Sequence, residues 1–209
     1  MKVALSTIAH LLILFILPLS AKPALLLYPQ VILSAVVIVL LLTTQPQMKM
    51  DEASRDRRTD KGTILLIALC SVVGHVLTIS EWAYFPQLDI WWLPFLGASL
   101  LIGGIIFRII AIKILDKAFS STLQIKKGQN LITKGLYSKF RHPSYTGAWV
   151  LMLGDALIFQ SYAGIAILGI GMFIVYMKRI QTEEEMLLNE FGMEYEQYMA
   201  QTWKFLPGY

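Results

Sequence analysis

The 209-residue chain is poor in the residues that build water-soluble domains and their usual cofactor sites. Only 15% of its residues are charged, whereas soluble domains carry about a quarter. Its single cysteine, Cys70, excludes an internal disulfide, a CxxC redox pair and a thiolate zinc cage. The sequence also lacks the HExxH, GxSxG, GxGxxG and Walker motifs. These absences leave most soluble enzyme classes unsupported, and we expect no bound metal.

Apolar residues dominate instead, and their distribution predicts an all-α, polytopic integral membrane protein. The hydrophobic share is 56% and the mean hydropathy is +0.60. Because a spanning helix needs about 20 apolar residues, the apolar runs predict about six spans, with a C-terminal helical hairpin divided at residues 160–162. The net charge of +4 then indicates basic loops at anionic membrane lipid rather than a nucleic-acid partner. The predicted spans are 3–21, 23–44, 62–80, 90–107 and the two halves of 143–177.

Most basic residues lie in alternate loops, and this pattern predicts the orientation of the chain. Lysines and arginines fill the connections after the second and fourth spans and the tail after the last, whereas 81–91 and 160–163 hold none. By the positive-inside rule, both termini and the polar connections lie on the cytoplasmic side. A cleaved signal peptide is the alternative for the first span, because Lys2 precedes it and Ser20 and Ala21 end it.

The chain divides near residue 112 into two regions of different character. Residues 1–112 form about four N-terminal membrane helices, and residues 113–209 form the region where catalytic groups are expected. The second region begins with an amphipathic connection at the membrane interface that includes Ile114 and Leu115. It continues through the hairpin 143–177 and ends in a cytoplasmic helix broken near Gly192. Long polar connections of this kind usually carry function.

Isolated polar residues within the apolar runs have two interpretations. His10 and His75 are expected to be neutral histidines hydrogen-bonded between helices. Asp155 is costly in a membrane, so it is either functional or part of a polar seam within the hairpin. Glycines in the runs are expected to let helices approach closely. They are Gly97, Gly103, Gly104, Gly164, Gly169 and Gly171.

A polar segment leads directly into the hairpin. Arg141 and His142 precede Pro143, which suits the first turn of a helix because its missing N–H costs nothing there. The amino end of that helix attracts anionic groups, and the side chains of Ser144 and Tyr145 lie at the same depth. The segment is therefore either an anion-binding site or a basic membrane anchor with a well-capped helix.

A second polar segment follows the hairpin. Arg179 and Glu183 are four residues apart and therefore share one helix face. An exposed ion pair worth under about 1 kcal/mol is one explanation. However, folding the hairpin back brings His142 and Arg179 to the same end, so the two segments predict one shared site.

Taken in order, these segments resemble a known family. They read GLYSKFRHPSYTG, an apolar hairpin, RIQTEEE, FGMEYEQY and a late Pro207. The combination resembles the isoprenylcysteine carboxyl methyltransferase family over roughly residues 122–209, and the short chain is similar to a compact prokaryotic member. The resemblance implies an integral-membrane methyltransferase that uses S-adenosyl-L-methionine without a Rossmann domain. It also implies a cytosolic cofactor pocket and the carboxylate of an isoprenylcysteine-like lipophilic acceptor as substrate.

The resemblance further implies roles for individual residues. Arg179 would hold the acceptor's carboxylate, Glu183 would contact the cofactor, and His142 would hold the cofactor or take part in the chemistry. All three are thus candidate catalytic residues. The implied cofactor-binding residues are Gln129, Asn130, Leu131, Ile132, Tyr137, His142, Pro143, Ser144, Tyr145 and Glu183.

Three other functions stay open on the same sequence. Related membrane enzymes methylate phospholipids or small molecules, although Arg179 favours an anionic acceptor. An NADPH-dependent membrane reductase is a second alternative, but no cluster suited to a nicotinamide and a 2′-phosphate is evident. A scaffold that keeps the fold without activity is a third, and the joint presence of His142, Tyr145, Arg179 and Glu183 disfavours it.

Overall fold

A computed structural model describes residues 2–44, 62–116, 119 and 130–208 of the chain. Over these residues the structure is all-helical, as predicted, and the only β-type pairing is an isolated bridge between Phe140 and Trp203. Short π-helical and 3-10 segments join or extend the helices at Leu12–Ile16, Pro23–Leu27 and Gly135–Ser138. The helices are α1 (Lys2–Leu11), α2 (Pro29–Thr43), α3 (Thr63–Tyr84), α4 (Leu93–Leu115), α5 (Pro143–Ile158), α6 (Tyr162–Phe191) and α7 (Met193–Gln201).

Three of the described helices, α3, α4 and α6, are long and apolar enough to cross a membrane. Shorter apolar helices lie at Ser6–Ile16 and Pro29–Thr43. Proline occupies the first turn of α2, α4 and α5, where its fixed φ favours helix initiation. An integral membrane protein is therefore confirmed, whereas the number of six spans stays a prediction.

Helices α4 and α5 pack with their backbones in direct contact. A Cβ atom added to Gly104 would lie 2.5 Å from the Leu151 nitrogen and 2.8 Å from the Gly147 carbonyl oxygen. A Cβ atom added to Gly97 would lie 2.4 Å from the Ile158 nitrogen. Small residues allow this closeness, which helices in membranes use for packing. The expectation for Gly97 and Gly104 is confirmed, whereas a Cβ on Gly103 would meet nothing within 4 Å.

The turn of the hairpin is anchored to the end of α3. Gln160, in the turn after α5, has a positive φ of 52°, and the Ser161 hydroxyl accepts a hydrogen bond from the Gly164 amide at 2.8 Å. The carboxylate of Glu81 accepts bonds from the Ser161 hydroxyl at 2.6 Å and from the Ala163 amide at 2.9 Å. The division of the hairpin at 160–162 is therefore confirmed.

The C-terminal segment folds back over the start of α5. Helix α6 ends at Phe191, and Gly192 has a φ of 52° before α7 begins, so the predicted break near Gly192 is confirmed. The Arg141 amide donates to the Trp203 carbonyl at 2.8 Å, and the Thr146 hydroxyl donates to the Phe205 carbonyl at 2.6 Å. These bonds hold the tail against the entrance of the hairpin.

The beginning of the second region differs from the expectation of a separate interfacial piece. Residues 113–115 prolong α4, and the helix ends only at Asp116, whose φ is 47°. Helix α4 therefore crosses the predicted division near residue 112, because no helix-breaking residue interrupts it there. The division into two regions stays a prediction.

Candidate active site

A buried cluster of charges surrounds Glu184 at the start of α5. The Arg141 Nε atom donates to Glu184 Oε1 at 2.7 Å, and His142 Nε2 lies 3.4 Å from the same oxygen. Lys204 Nζ lies 3.1 Å from the other carboxylate oxygen. The Arg141 guanidinium also donates to the carbonyls of Met199 and Thr202. One carboxylate thus joins α5, α6 and the C-terminal segment.

A second chain of hydrogen bonds connects Glu183 to Arg179. The Tyr145 hydroxyl donates to Glu183 Oε2 at 2.9 Å and accepts a bond from Arg179 Nε at 3.2 Å. Arg179 Nη1 also donates to the Thr63 hydroxyl at 3.3 Å. Only 2% of Arg179 is exposed, whereas 26% of the Glu183 side chain is exposed. The group therefore runs from a buried cation to a carboxylate that solvent can reach.

His142 lies between the two glutamates. Its Nδ1 atom is 3.9 Å from Glu183 Oε2, and its ring stacks on the Tyr145 ring with centroids 5.9 Å apart. Ser144 is buried, and its carbonyl accepts a bond from Arg108 Nη1 at 2.8 Å. Polar groups from α4, α5 and α6 therefore converge at the amino end of α5.

Neutral phenols border these carboxylates. Burial raises the pKa of the Tyr137 phenol above its ordinary range, and the charge of Glu183 raises it further. Burial likewise raises the pKa of Tyr195, with the charges of Glu184 and Glu183 as the next causes. Both hydroxyls therefore stay protonated at physiological pH and can serve as hydrogen-bond donors.

An apolar cavity of about 190 Å³ lies beneath this site, among α1 to α6. Tyr176 lines it, and the Tyr176 ring also packs against the Tyr145 ring with centroids 5.4 Å apart. The Tyr176 ring therefore separates the cavity from Tyr145, which hydrogen-bonds to Arg179. Most of its walls are aliphatic, including Leu101, Leu151 and Leu168.

The structure brings together one part of the predicted site. His142, Tyr145, Arg179 and Glu183 form one group, as expected. Pro143, Ser144 and Tyr137 are buried next to it. Among the described residues, Asn130, Leu131 and Ile132 make no polar contact to the group; Asn130 is exposed and the other two are partly buried. Gln129 lies outside the described residues, so the cofactor roles of 129–132 stay predictions.

Sequence reasoning missed four charged residues of the site, Arg108, Arg141, Glu184 and Lys204. Glu184 is the buried centre of the ion cluster, but three consecutive glutamates gave no reason to prefer it over its neighbours. The sequence gives no specific role to Arg141 beside His142, and Arg108 directly follows an apolar run. A basic residue so close to the membrane was the available signal for Arg108.

Over the described residues, the fold and the site together define a class: an all-helical membrane protein with a charged cluster at the open end of a helical hairpin and an apolar cavity nearby. Residues 96–189 match the model of the isoprenylcysteine carboxyl methyltransferase family. The resemblance predicted from the sequence is thereby confirmed over these residues.

Relatives and a solved structure agree with this family. A protein-S-isoprenylcysteine O-methyltransferase of Dictyostelium discoideum is 32% identical over 133 residues, which are 61% of this chain and 55% of that protein. One of Tribolium castaneum is 31% identical over 151 residues, which are 65% and 54% of the two chains. The structure of a eukaryotic intramembrane Ras methyltransferase of this family superposes with a TM-score of 0.63 at 24% identity. It covers 93% of this chain and 72% of that one.

The comparisons also limit two inferences. The chain spans about half the length of the first two curated relatives. The similarity to the solved structure shows the fold alone, given its 24% identity. These relatives are eukaryotic, so the prediction of a prokaryotic member is not borne out.

Proposed function

We propose that the chain is an S-adenosyl-L-methionine-dependent methyltransferase that esterifies the carboxylate of an isoprenylcysteine-like lipophilic acceptor. The observation that carries this proposal is the chain Arg179–Tyr145–Glu183 at the head of an apolar cavity. A buried cation suits a carboxylate, and an apolar cavity suits a lipid tail. The names of the relatives support the same reaction.

The side chains of Glu183 and His142 suit the cofactor. S-adenosyl-L-methionine carries an electrophilic methyl group on a sulfonium and a cationic amino group. The Glu183 carboxylate, which is partly exposed and oriented by Tyr145, would offset positive charge there. His142 is nearly buried beside it and would hold the cofactor's polar groups by hydrogen bonds. Both side chains would therefore bind and orient the cofactor.

The buried side of the group suits the acceptor. An acceptor carboxylate is already ionised at neutral pH, so the reaction needs no strong base. Arg179 would orient that carboxylate, because guanidinium and carboxylate pair with defined geometry. Tyr176 would separate the polar head from the tail in the cavity. Alignment and exclusion of water would then supply most of the acceleration.

The proposed reaction side is the cytoplasm. The basic connections and tail support this orientation, because positive residues favour that side. In a Cys70→Ser background, we expect Glu190→Cys to react with an impermeant maleimide only from the cytoplasmic side. Asp89→Cys should react only from the opposite side. Both positions are exposed, so reaction from the same side would contradict the topology.

The first test is calorimetric binding of S-adenosylhomocysteine to the detergent-purified chain. We expect binding to weaken about tenfold or more in both variants, because Glu183→Gln removes the negative charge and His142→Gln removes the imidazole ring. Glu190→Gln is the matched control, since Glu190 is exposed on the same helix. No binding by a folded wild-type chain would refute the methyltransferase proposal.

The second test separates the acceptor from the cofactor. With radiolabelled cofactor and N-acetyl-S-farnesylcysteine, we expect an alkali-labile methyl ester. Arg179→Gln should lower kcat/KM by about a hundredfold and leave S-adenosylhomocysteine binding within twofold. Lys178→Gln, which alters the exposed neighbour, should match the wild type. Equal losses of cofactor binding and turnover in Arg179→Gln would contradict its assignment to the acceptor.

A further inference from the structure

A second polar group lies deep among the helices, far from the charged site. His75 Nδ1 is 2.7 Å from Asp155 Oδ2, and the Ser34 hydroxyl donates to Asp155 Oδ1 at 2.5 Å. The three residues come from α2, α3 and α5 and are 0–4% exposed. This agrees with the expectation of a histidine bonded between helices and with the polar seam expected for Asp155. It does not account for the other nitrogen of the histidine ring.

The Nε2 atom of His75 has no hydrogen-bond partner within the part of the chain that the structure describes. His75 and Asp155 both line the cavity beneath the charged site. The walls around them are apolar, including Leu14, Leu151 and Leu168. A buried nitrogen left without a partner is unfavourable, so an occupant that hydrogen-bonds to it would be favoured.

Two stretches of irregular helix adjoin this end of the cavity. Leu14 lies in the π-helical segment Leu12–Ile16, and Leu168 lies in the π-helical segment Ile165–Gly171. Such segments widen a helix and occur frequently at functional sites. They therefore support a binding role for this end of the cavity.

We propose that the cavity binds an apolar molecule carrying one neutral hydroxyl group, which hydrogen-bonds to His75 Nε2. The Asp155 carboxylate lies 2.7 Å from Nδ1 and favours a proton on that nitrogen, which leaves Nε2 as an acceptor in the neutral ring and a donor in the charged ring. A hydroxyl satisfies either form, because it both donates and accepts. The apolar walls exclude a charged headgroup, since an unpaired charge is far costlier to bury than a hydroxyl.

Two kinds of ligand can carry this hydroxyl group. It is either on the tail of the methyl acceptor, an assignment that rests on the proposed function, or on a separate lipid alcohol. Ten residues of α5 separate Tyr145 from Asp155, which is about 15 Å along a helix. An acceptor held at Arg179 would thus meet His75 only with the far part of its tail.

The binding test observes His75 directly. The full chain is labelled with ¹⁵N-histidine and kept in a zwitterionic detergent without hydroxyl groups. The chain has three histidines, so His10→Gln and His142→Gln assign the His75 signals by elimination. We expect dodecan-1-ol to shift the His75 Nε2 resonance and dodecane to leave it in place. This readout requires neither cofactor nor methyl transfer, so its failure is distinct from failure of the proposed function.

Variants test whether His75 Nε2 causes the cavity to prefer dodecan-1-ol over dodecane. We expect His75→Phe to lower the affinity for dodecan-1-ol about tenfold and to abolish its preference over dodecane. Ser71→Ala is the matched control, because Ser71 lines the same cavity but already donates to the Ala68 carbonyl at 3.0 Å. An unshifted Nε2 resonance, equal shifts with both probes, or an unchanged preference in His75→Phe would overturn the proposal.

A competition experiment identifies the source. The probes are N-acetyl-S-farnesylcysteine and its analogue with a hydroxyl on the terminal isoprene unit. If the tail is the source, the hydroxylated analogue shifts Nε2 and displaces dodecan-1-ol, whereas N-acetyl-S-farnesylcysteine leaves Nε2 unshifted. If a separate lipid is the source, dodecan-1-ol shifts Nε2 while neither conjugate does. Both results support the hydroxyl site, and the absence of any shift with all three probes refutes it.

Discussion

The backbone contact between α4 and α5 gives a prediction whose magnitude follows from the structure. In Gly104→Ala, the new methyl group would lie 2.5 Å from the Leu151 nitrogen, whereas ordinary contact begins near 3.4 Å. Because the obstructing atoms are backbone, the two helices must move apart by most of this 0.9 Å. Overpacking of this kind costs about 1–3 kcal/mol. Moving the helices apart would also stretch the hydrogen bond that Arg108 Nη1 donates to the Ser144 carbonyl oxygen at 2.8 Å.

The neighbouring glycine provides the control. Gly103 lies on the same helix, but a methyl group there would meet nothing within 4 Å. Gly103→Ala should therefore stabilise the chain by about 0.5–1 kcal/mol through helix propensity alone. We would measure thermal unfolding in detergent by tryptophan fluorescence, which the five tryptophans allow. At about 2–4 °C per kcal/mol for this length, the two variants should differ in Tm by several degrees.

Equal midpoints for the two variants would refute the reasoning. A Gly104→Ala chain as stable as Gly103→Ala would mean that α4 and α5 do not touch at this depth. The same result would mean that the contact at Gly104 does not hold Arg108 near the Ser144 carbonyl at the amino end of α5. If Gly104→Ala lowers the Tm but leaves cofactor binding unchanged, the substitution affects helix packing and not the site.

Three further predictions concern the site. Tyr145→Phe removes the hydroxyl between the cation and the carboxylate, so turnover should fall about tenfold with little change in Tm; a wild-type rate would contradict the bridge. Glu184→Gln removes the buried charge that Arg141 and Lys204 share, which should cost about 3–5 kcal/mol in the same unfolding assay, whereas Glu190→Gln should not. Thr146→Val removes the bond to the Phe205 carbonyl; hydrogen exchange of the tail should then accelerate about tenfold, and unaltered exchange would show that other contacts hold it.

The apolar runs determined much of the fold. Runs of about 20 apolar residues need helices in a membrane, because backbone groups there must be bonded within the segment. The hairpin and its division at the polar residues 160–162 could be predicted for this reason, and Gly192 itself indicated the later break. The positions of helix ends could not be predicted in this way. Helix α4 extends to Leu115 because residues 108–115 contain no proline or glycine to end it.

The ordered motifs on both sides of the hairpin also identified half of the candidate site. His142, Tyr145, Arg179 and Glu183 could be chosen because their spacing and residue types match one family. Helical spacing further implied that Arg179 and Glu183 share a face. It could not show that a hydroxyl from α5 lies between them.

Only the tertiary structure decided which elements meet. The 3.6-residue period relates positions on one helix, but the rotation and pairing of neighbouring helices depend on packing among all of them. Glu184 rather than an adjacent glutamate is buried because of where α6 faces Arg141 and His142. His75 and Asp155 are 80 residues apart in the chain, and they come into contact because α3 and α5 both line one cavity.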